Sequence, residues 1–244
     1  MNFHDAKFTA AFGTSAQLPA STGPEVSFCG RSNVGKSSLL NCLMHRKGLA
    51  KVSAKPGKTA TINFYDVDGA DFVDLPGYGF AHVSKSEKSR WSELIDGYFN
   101  QTRAFALVVV LVDIRHTKVS KLDIDMVNFV RESGLPFVVA LTKADKLSRQ
   151  GAQKNVASIR RALGLTKSGG TTVKEMSAVA ESTTMAATGT STTLGTNVTT
   201  DAQKAGESND AHCLGVIPIS SQTGMNVDKL RSVIERAVDF PEEM

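Results

Sequence analysis

Residues 30–37 read Gly-Arg-Ser-Asn-Val-Gly-Lys-Ser, and the rest of the chain can be understood outward from this stretch. It fits the pattern G-x-x-x-x-G-K-[ST], in which a glycine-rich turn cradles phosphate groups. Gly30 and Gly35 permit a close backbone approach that a Cβ would block. The backbone N–H groups of such a loop, with the positive end of the next helix, form an anion-binding concavity. We therefore predict a polyphosphate site in which the Lys36 ammonium contacts the outer phosphates and the Ser37 hydroxyl binds Mg²⁺.

The residues that flank this loop have the character that the pattern requires. Residues 25–29 are rich in strand formers, and residues 38–44 are typical of the start of an amphipathic helix. A glycine-rich turn that binds no ligand would not need a strand before it and a helix after it. The context therefore supports the phosphate site.

Composition indicates an ordinary globular domain. Of the 244 residues, 41% are hydrophobic and 21% charged, and the formal net charge of +4 is compatible with a nucleic-acid partner without showing one. Three unpatterned cysteines predict free thiols in a reducing compartment. No signal-peptide pattern opens the chain, and the longest apolar run, residues 105–112, is far shorter than the ~20 residues that a membrane helix needs. We expect a cytoplasmic protein without a membrane span.

Strand-like and helix-like segments alternate along the chain. The strand-like runs are residues 62–67, 70–73, 105–112, 136–141 and 214–219. The Asp68-Gly69 pair between the first two of these runs is a strong hairpin signal. Apolar residues at helical spacing include Trp91, Leu94, Ile95 and Tyr98, and then Leu122, Met126, Phe129 and Val130. This order predicts an α/β fold with a doubly wound, mostly parallel sheet, one antiparallel strand and helices on both faces.

Two segments stand outside this alternation. Residues 1–24 contain chain breakers, and we treat them as an N-terminal extension in which residues 6–8 either add a short edge strand or lie against the body of the domain. In residues 166–212 more than half of the side chains are Ser, Thr, Gly or Ala, and none is aromatic. We expect a flexible surface insertion there, with folding on a partner as the alternative. The main domain is then residues 25–244, interrupted at about 166–212.

Further motifs follow the phosphate loop in a fixed order. They are Pro56-Gly57-Lys58-Thr59, Asp74-Leu75-Pro76-Gly77-Tyr78-Gly79, Asp113-Ile114-Arg115-His116, Leu141-Thr142-Lys143-Ala144-Asp145-Lys146-Leu147 and Ser220-Ser221-Gln222. With residues 30–38 they resemble the EngB (YihA/YsxC) family, in the translation-factor class of P-loop GTPases. The resemblance covers about residues 3–164 and 214–240, and the insertion departs from the shorter connection that is usual in the family.

The carboxylate of Asp145 predicts which base is bound. It offers two acceptors to the two parallel donors on one edge of guanine, a pair that adenine lacks. A site built for such a pair rejects an analogue without it by a large factor, so we expect GTP rather than ATP. The Lys143 stem would cover the face of the base, and Thr142 would stabilise the loop. The resemblance implies that a backbone N–H near Ser221 contacts the guanine oxygen.

The resemblance also implies how metal and terminal phosphate are held. Ser37 would bind Mg²⁺ directly, Asp74 through water, and Thr59 in the GTP state, with Thr61 as the nearby alternative. A backbone N–H of Gly77 would contact the γ-phosphate, so loss of that phosphate would release both loops. The residues assigned to GTP binding are Gly30, Arg31, Ser32, Asn33, Val34, Gly35, Lys36, Ser37, Ser38, Pro56, Gly57, Lys58, Thr59, Asp74, Leu75, Pro76, Gly77, Thr142, Lys143, Ala144, Asp145, Ser220, Ser221 and Gln222.

Hydrolysis is expected to be slow. Residues 74–79 correspond to the second-switch motif of GTPases. Related GTPases often place a Gln after the Gly of this motif to orient water, and here that residue is Tyr78. No residue is assigned as a catalytic base, and Lys36 and Asn33 are the candidates for stabilising charge. Members of the class with Asn at the position of Asn33 are often activated by K⁺, which would neutralise developing phosphate charge. The alternative is that Asn33 only shapes the loop.

The function implied by the resemblance is a monomeric GTPase switch in assembly of the large ribosomal subunit. Its partners would be GTP or GDP and the immature subunit, both rRNA and ribosomal proteins. The basic segment Arg46–Lys58 is either solvated or bound to rRNA phosphates. The alternative function is a GTP-regulated cell-division (septation) module that acts through protein partners. A small-molecule kinase is a third possible function. The guanine motif, residues 142–145, and the second-switch motif both argue against it.

Overall fold

The computed structural model describes residues 1–50, 61–79, 85–165 and 212–240. Within these residues, seven strands form one sheet in the order β1-β3-β4-β2-β5-β6-β7. The strands are β1 (Lys7–Phe12), β2 (Glu25–Gly30), β3 (Ile62–Val67), β4 (Ala70–Asp74), β5 (Phe105–Asp113), β6 (Phe137–Thr142) and β7 (Cys213–Pro218). The helices are α1 (Lys36–Leu43), α2 (Lys85–Phe99), α3 (Lys121–Glu132), α4 (Arg149–Ala162) and α5 (Val227–Asp239). None of the helices in these ranges is both long enough and apolar enough to cross a membrane.

One strand of the described sheet runs against the others. Strand β3 is antiparallel to both of its neighbours, β1 and β4, and the remaining strand pairs are parallel. Asp68 and Gly69, which join β3 to β4, have φ angles of 55° and 85°. Two successive positive φ angles are what a two-residue hairpin needs. The mostly parallel sheet with one antiparallel strand is confirmed.

Side chains of the interior strand β5 alternate between two apolar layers, one on each face of the sheet. The layer that contains α1 and α5 also holds Leu107, Val109 and Leu111. The layer that contains α2, α3 and α4 also holds Val108, Val110 and Val112. A strand covered on both faces needs apolar side chains at every position, which explains the unbroken run of residues 105–112. The predicted helices on both faces of the sheet are therefore confirmed.

Some boundaries and exposures differ from the sequence prediction. Strand β1 is longer than the edge strand expected at residues 6–8, and it pairs with β3 along Lys7–Phe12. In α3, Met126 and Val130 are buried, but Leu122 and Phe129 are 45% and 36% exposed. Helical spacing places a side chain on one face of a helix, whereas its burial depends on what covers that face. Apart from His212, the predicted insertion lies outside the described residues.

A buried ion pair lies at the end of the sheet where the parallel strands begin. Glu25, the first residue of β2, is fully buried, and its carboxylate accepts from the Arg103 guanidinium at 2.8 Å. The Tyr98 hydroxyl of α2 donates to the same carboxylate at 2.8 Å. A buried charge of this kind is tolerated because its partners satisfy it. The network joins α2 to β2 at the end of the sheet opposite to the predicted phosphate loop.

Candidate functional site

The predicted motifs converge where the parallel strands end. Strand β2 ends at Gly30, β4 at Asp74, β5 at Asp113 and β6 at Thr142. The pairing of β2 with β4 and β5, and of β5 with β6, places these four ends side by side. Ligands of open α/β sheets bind outside the carboxyl ends of the strands. The strand order therefore brings distant parts of the chain to one candidate site.

The phosphate loop is the turn between β2 and α1. Asn33 and Gly35 have left-handed φ angles of 63° and 108°, and α1 begins at the next residue, Lys36. A Cβ on Gly30 would lie 3.0 Å from atoms of both Leu111 and Val34, so a larger residue here would crowd these neighbours. A left-handed turn that leads into a helix N-terminus is a backbone arrangement that binds anions.

The second-switch segment lies directly against the phosphate loop. The Ser32 N–H donates to the Tyr78 carbonyl at 2.8 Å, and the Tyr78 N–H donates to the Gly30 carbonyl at 3.2 Å. A Cβ on Gly77 would lie 3.1 Å from the Ser32 nitrogen, tighter than almost all real contacts of that kind. Glycine at position 77 therefore permits the close approach of this segment to the backbone of the phosphate loop.

Lys36 and Asp74 form the charged centre of the site. The Lys36 Nζ donates to Asp74 Oδ1, and the two side chains are only 11% and 8% exposed. The Asn63 amide of β3 reaches the other oxygen of Asp74 at 3.5 Å. A lysine ammonium and a carboxylate at the mouth of a phosphate loop are the groups that hold a phosphate and its metal ion.

The oxygen donors at this centre fit Mg²⁺. Ser37 in the first turn of α1 and Asp74 at the end of β4 offer the hard oxygen ligands that Mg²⁺ prefers. In the described ranges, no group of three or more His, Cys, Asp or Glu side chains is arranged to hold a metal ion. Mg²⁺ commonly takes one or two protein oxygens and completes its shell with water and substrate phosphates, so a small donor set suffices. The predicted ligand Thr59, with Pro56-Gly57-Lys58, lies outside the described residues.

Tyr78 is packed between α2 and α3. Its ring is buried and meets Trp91 edge to face, and its hydroxyl donates to Asp123 at 2.9 Å. Burial raises the pKa of Tyr78 far above its usual range, and burial also raises the pKa of Asp123. The Trp91 indole N–H donates to the Pro76 carbonyl at 3.0 Å. These contacts attach the second-switch segment to two helices, and the side chain of Tyr78 supplies no amide to orient water.

The guanine motif is bonded to the phosphate loop at two points. The Thr142 hydroxyl donates to the Val34 carbonyl at 2.7 Å, and the Lys143 Nζ donates to the Asn33 carbonyl at 2.7 Å. Thr142 ends β6, and Lys143 follows with a left-handed φ of 63°. The two bonds hold the predicted base-reading and phosphate-binding segments at a set distance from each other.

The Ser220–Gln222 motif orients the Asp145 carboxylate. The Ser220 hydroxyl donates to Asp145 Oδ1 at 2.7 Å and accepts the N–H groups of Gln222 and Thr223, each at 3.2 Å. The hydrogen bond from Ser220, followed by that from Lys146, lowers the pKa of Asp145. The carboxylate therefore stays ionised and can only accept hydrogen bonds, which matches the paired donors of guanine.

Asp113 and Arg115 are part of the site, although the residues assigned from sequence did not include them. The Lys143 Nζ donates to Asp113 Oδ2 at 2.9 Å, and the Arg115 guanidinium donates to the same carboxylate. The available signals were the Asp113-Ile114-Arg115-His116 motif and the position of Asp113 directly at the end of a buried strand, as for Asp74. Their contacts connect the end of β5 to the guanine motif.

The chain resembles known proteins over most of its length. A family model described as 50S ribosome-binding GTPase matches residues 25–143. The probable GTP-binding protein EngB of Streptococcus pyogenes serotype M5 (strain Manfredo) is 42% identical over 169 residues, which are 69% of this chain and 84% of the relative. The protein of the same name from serotype M1 matches with the same identity and coverage.

Solved structures share the fold. A crystal structure of a probable GTP-binding protein engB has a TM-score of 0.57 and 21% identity, and the match covers 88% of this chain and 98% of that one. A point variant of Era from Aquifex aeolicus, bound to GDP·AlF4⁻, has a TM-score of 0.52 and 18% identity over 91% of this chain and 61% of its own. At these identities the likeness concerns the fold alone, and it confirms the predicted P-loop GTPase architecture.

Proposed function

The chain belongs to the EngB family of P-loop GTPases, and from this premise we propose that it is a GTP-dependent switch in assembly of the large ribosomal subunit. As a member of this family it binds GTP and hydrolyses it to GDP and phosphate. The ribosomal part of the proposal is supported by the match of residues 25–143 to a family model described as 50S ribosome-binding. We place the protein in the cytoplasm as a monomer.

The proposal of a guanine nucleotide site rests on one observation. Thr142 and Lys143 both donate hydrogen bonds to carbonyls of the phosphate loop. These bonds support a binding mode in which one nucleotide would lie with its phosphates at Lys36 and its base at Asp145. Backbone N–H groups of the loop and the Lys36 ammonium would bind the phosphates, and Asp145, kept ionised by Ser220, would select the base. Mg²⁺ held by Ser37 and Asp74 would neutralise charge on the phosphates.

The switch that we propose acts through the segment around Gly77. Its backbone lies against Ser32 of the phosphate loop, which supports a response of this segment to a terminal phosphate. The side chains of Tyr78 and Trp91 connect that segment to α2 and α3. A change at the phosphate would therefore alter the helical surface that a ribosomal partner can contact.

Association with ribosomal precursors tests the proposal directly. We expect the protein with a non-hydrolysable GTP analogue to co-sediment with immature large subunits, and the GDP form to co-sediment less. Purified small subunits serve as the control. If the basic segment Arg46–Lys58 contacts rRNA phosphates, this binding should weaken as salt is added. Residues 51–58 of that segment lie outside the described ranges. Absence of binding in both nucleotide states would instead favour the cell-division module.

The alkali cation present should affect the hydrolysis rate. We propose that the Asn33 amide contributes to a K⁺ site beside the phosphates, so the rate constant of the hydrolysis step should be about tenfold higher in KCl than in NaCl of equal ionic strength. Phosphate release under single-turnover conditions measures it. The variant Asn33→Gly keeps the left-handed turn and the carbonyl that Lys143 contacts, but it lacks the amide, and it should lose the stimulation. Equal rates in both salts for the wild type would refute this role.

A further inference from the structure

We propose that Asp113 and Arg115 are positioning residues for guanine-nucleotide binding, because together they hold the Lys143 ammonium against the phosphate loop. This inference rests on the guanine nucleotide site proposed above and adds two residues to it. Neither residue is expected to touch the nucleotide, so both act through Lys143.

Asp113 stands directly beside the guanine motif. It is the last residue of β5, and in the parallel pairing with β6 its partner is Thr142, so Lys143 is the next residue along. The Lys143 Nζ lies between two acceptors, Asp113 Oδ2 at 2.9 Å and the Asn33 carbonyl at 2.7 Å. The ammonium therefore bridges the end of β5 and the phosphate loop.

Arg115 fixes the direction in which the Asp113 carboxylate points. The Arg115 backbone N–H and Nε donate to Oδ1 at 3.1 Å and 2.9 Å, and its Nη2 donates to Oδ2 at 2.7 Å. Two parallel bonds between a guanidinium and a carboxylate restrict rotation more than a single contact does. In the described part of the chain, every hydrogen bond of the Arg115 side chain goes to Asp113. The oxygen that faces Lys143 is thereby held in place.

Lys143 needs such support because its side chain is long and its acceptor on the loop is a single carbonyl. A lysine ammonium on a four-carbon stem has many rotamers to lose when it is fixed. Asn33, whose carbonyl it binds, has a left-handed φ of 63° and so belongs to the turn that shapes the phosphate nest. A second acceptor for the ammonium, Asp113, limits the rotamers of Lys143 and keeps its bond to the loop in place.

The charge state of Asp113 agrees with this role. Partial burial opposes ionisation, but hydrogen bonds from Arg115 and Lys143 outweigh it and hold the pKa of Asp113 well below its usual range. The carboxylate is therefore ionised at neutral pH and accepts from the lysine as a full negative charge. Charge-assisted hydrogen bonds of this kind are shorter and stronger than neutral ones.

A purely structural role would be closure of the turn after β5, since Arg115 is only two residues from Asp113. That role would change the stability of the fold with or without Lys143. A positioning role would change nucleotide release, and the change would depend on Lys143. The rate of GDP release in single and double variants therefore separates the two.

The test replaces Asp113 with asparagine, which keeps the size of the side chain but removes its charge. We expect the rate constant for release of fluorescent GDP to rise about tenfold in a stopped-flow chase experiment. The thermal midpoint of the nucleotide-free protein should change little. Asp125→Asn is the matched control, because Asp125 on α3 pairs with Lys121 at 2.9 Å on the exposed surface, and it should release GDP at the wild-type rate.

Lys143→Met supplies the second half of a double-mutant cycle. In that background, Asp113→Asn should change GDP release by less than about twofold, because the group that it positions is gone. Arg115→Met gives an independent measurement if Asp113→Asn folds poorly. It should speed release by roughly threefold in the wild-type background and hardly at all beside Lys143→Met.

Two results would overturn the inference. One is release of GDP at the wild-type rate by both Asp113→Asn and Arg115→Met, and the other is an effect of either substitution that persists undiminished beside Lys143→Met. Failure of the underlying guanine site would look different, because the wild-type protein itself would then bind ADP as tightly as GDP.

Discussion

Asp145→Asn should turn a site for guanine into a site for xanthine. The carboxylate accepts from both donors on the guanine edge, whereas an amide has one acceptor and one donor and fits the additional carbonyl of xanthine. The Ser220 hydroxyl can still donate to Oδ1 of the asparagine, so the orientation of the side chain should survive. We expect the preference for GDP over XDP to fall on the order of 10⁴-fold. Competition of GDP, XDP and ADP against a fluorescent nucleotide measures the change.

The same chemical substitution at Asp228 is the control for Asp145→Asn. Asp228 lies in the first turn of α5 with a side chain that is 93% exposed, and it pairs only with Arg231 in the described residues. Asp228→Asn should leave base selectivity unchanged. If Asp145→Asn kept the guanine preference of the wild type, another residue would have to be the base reader.

Lys36→Ala should remove most of the affinity for GDP and GTP alike. Its ammonium lies beside Asp74 at the start of α1, and the side chain is only 11% exposed. The contact of this ammonium with a bound phosphate would therefore be weakly screened by water. Truncating one member of such a contact costs at least about 3 kcal/mol, or roughly 100-fold in the dissociation constant. Calorimetric titration with each nucleotide measures this loss.

We also expect the Lys36→Ala protein to keep the base selectivity of the wild type. Whatever affinity remains should keep the ratio of GDP to ADP of the wild type, because Asp145 and Ser220 are untouched. Lys121→Ala, which removes an ammonium that is 85% exposed on α3, is the matched control and should bind as the wild type does. A Lys36→Ala protein with dissociation constants within about threefold of the wild type would show that the phosphates bind elsewhere.

Features set by neighbouring residues were predictable from the sequence. The Asp68-Gly69 pair predicts a hairpin, because these residue types adopt the two positive φ angles that such a turn needs. The unbroken apolar run of residues 105–112 indicates a strand that is buried on both faces. The exposure of Leu122 and Phe129 was not predictable in the same way. Their position on α3 is local, but whether another element covers them depends on the packing of the whole domain.

The orientation of side chains in the site shows the same limit. Tyr78 could be recognised as the residue where other GTPases often carry Gln, but its contact with Asp123 on α3 joins residues that are 45 positions apart. The chemistry that a residue can perform follows from its type. The direction in which it points follows from neighbours that the fold supplies.

The sequence by itself determined the α/β fold, the family and the residue types that we propose for phosphate and guanine binding, because these follow from residue types at short spacing along the chain. Only the tertiary structure decided that Lys143 bridges Asn33 and Asp113, which lie 110 and 30 residues away from it, and that Glu25 is buried with Arg103 at the other end of the sheet. The physical reason is that strand order places the ends of β2, β5 and β6 side by side, and strand order is set by packing over the whole domain rather than by any local pattern.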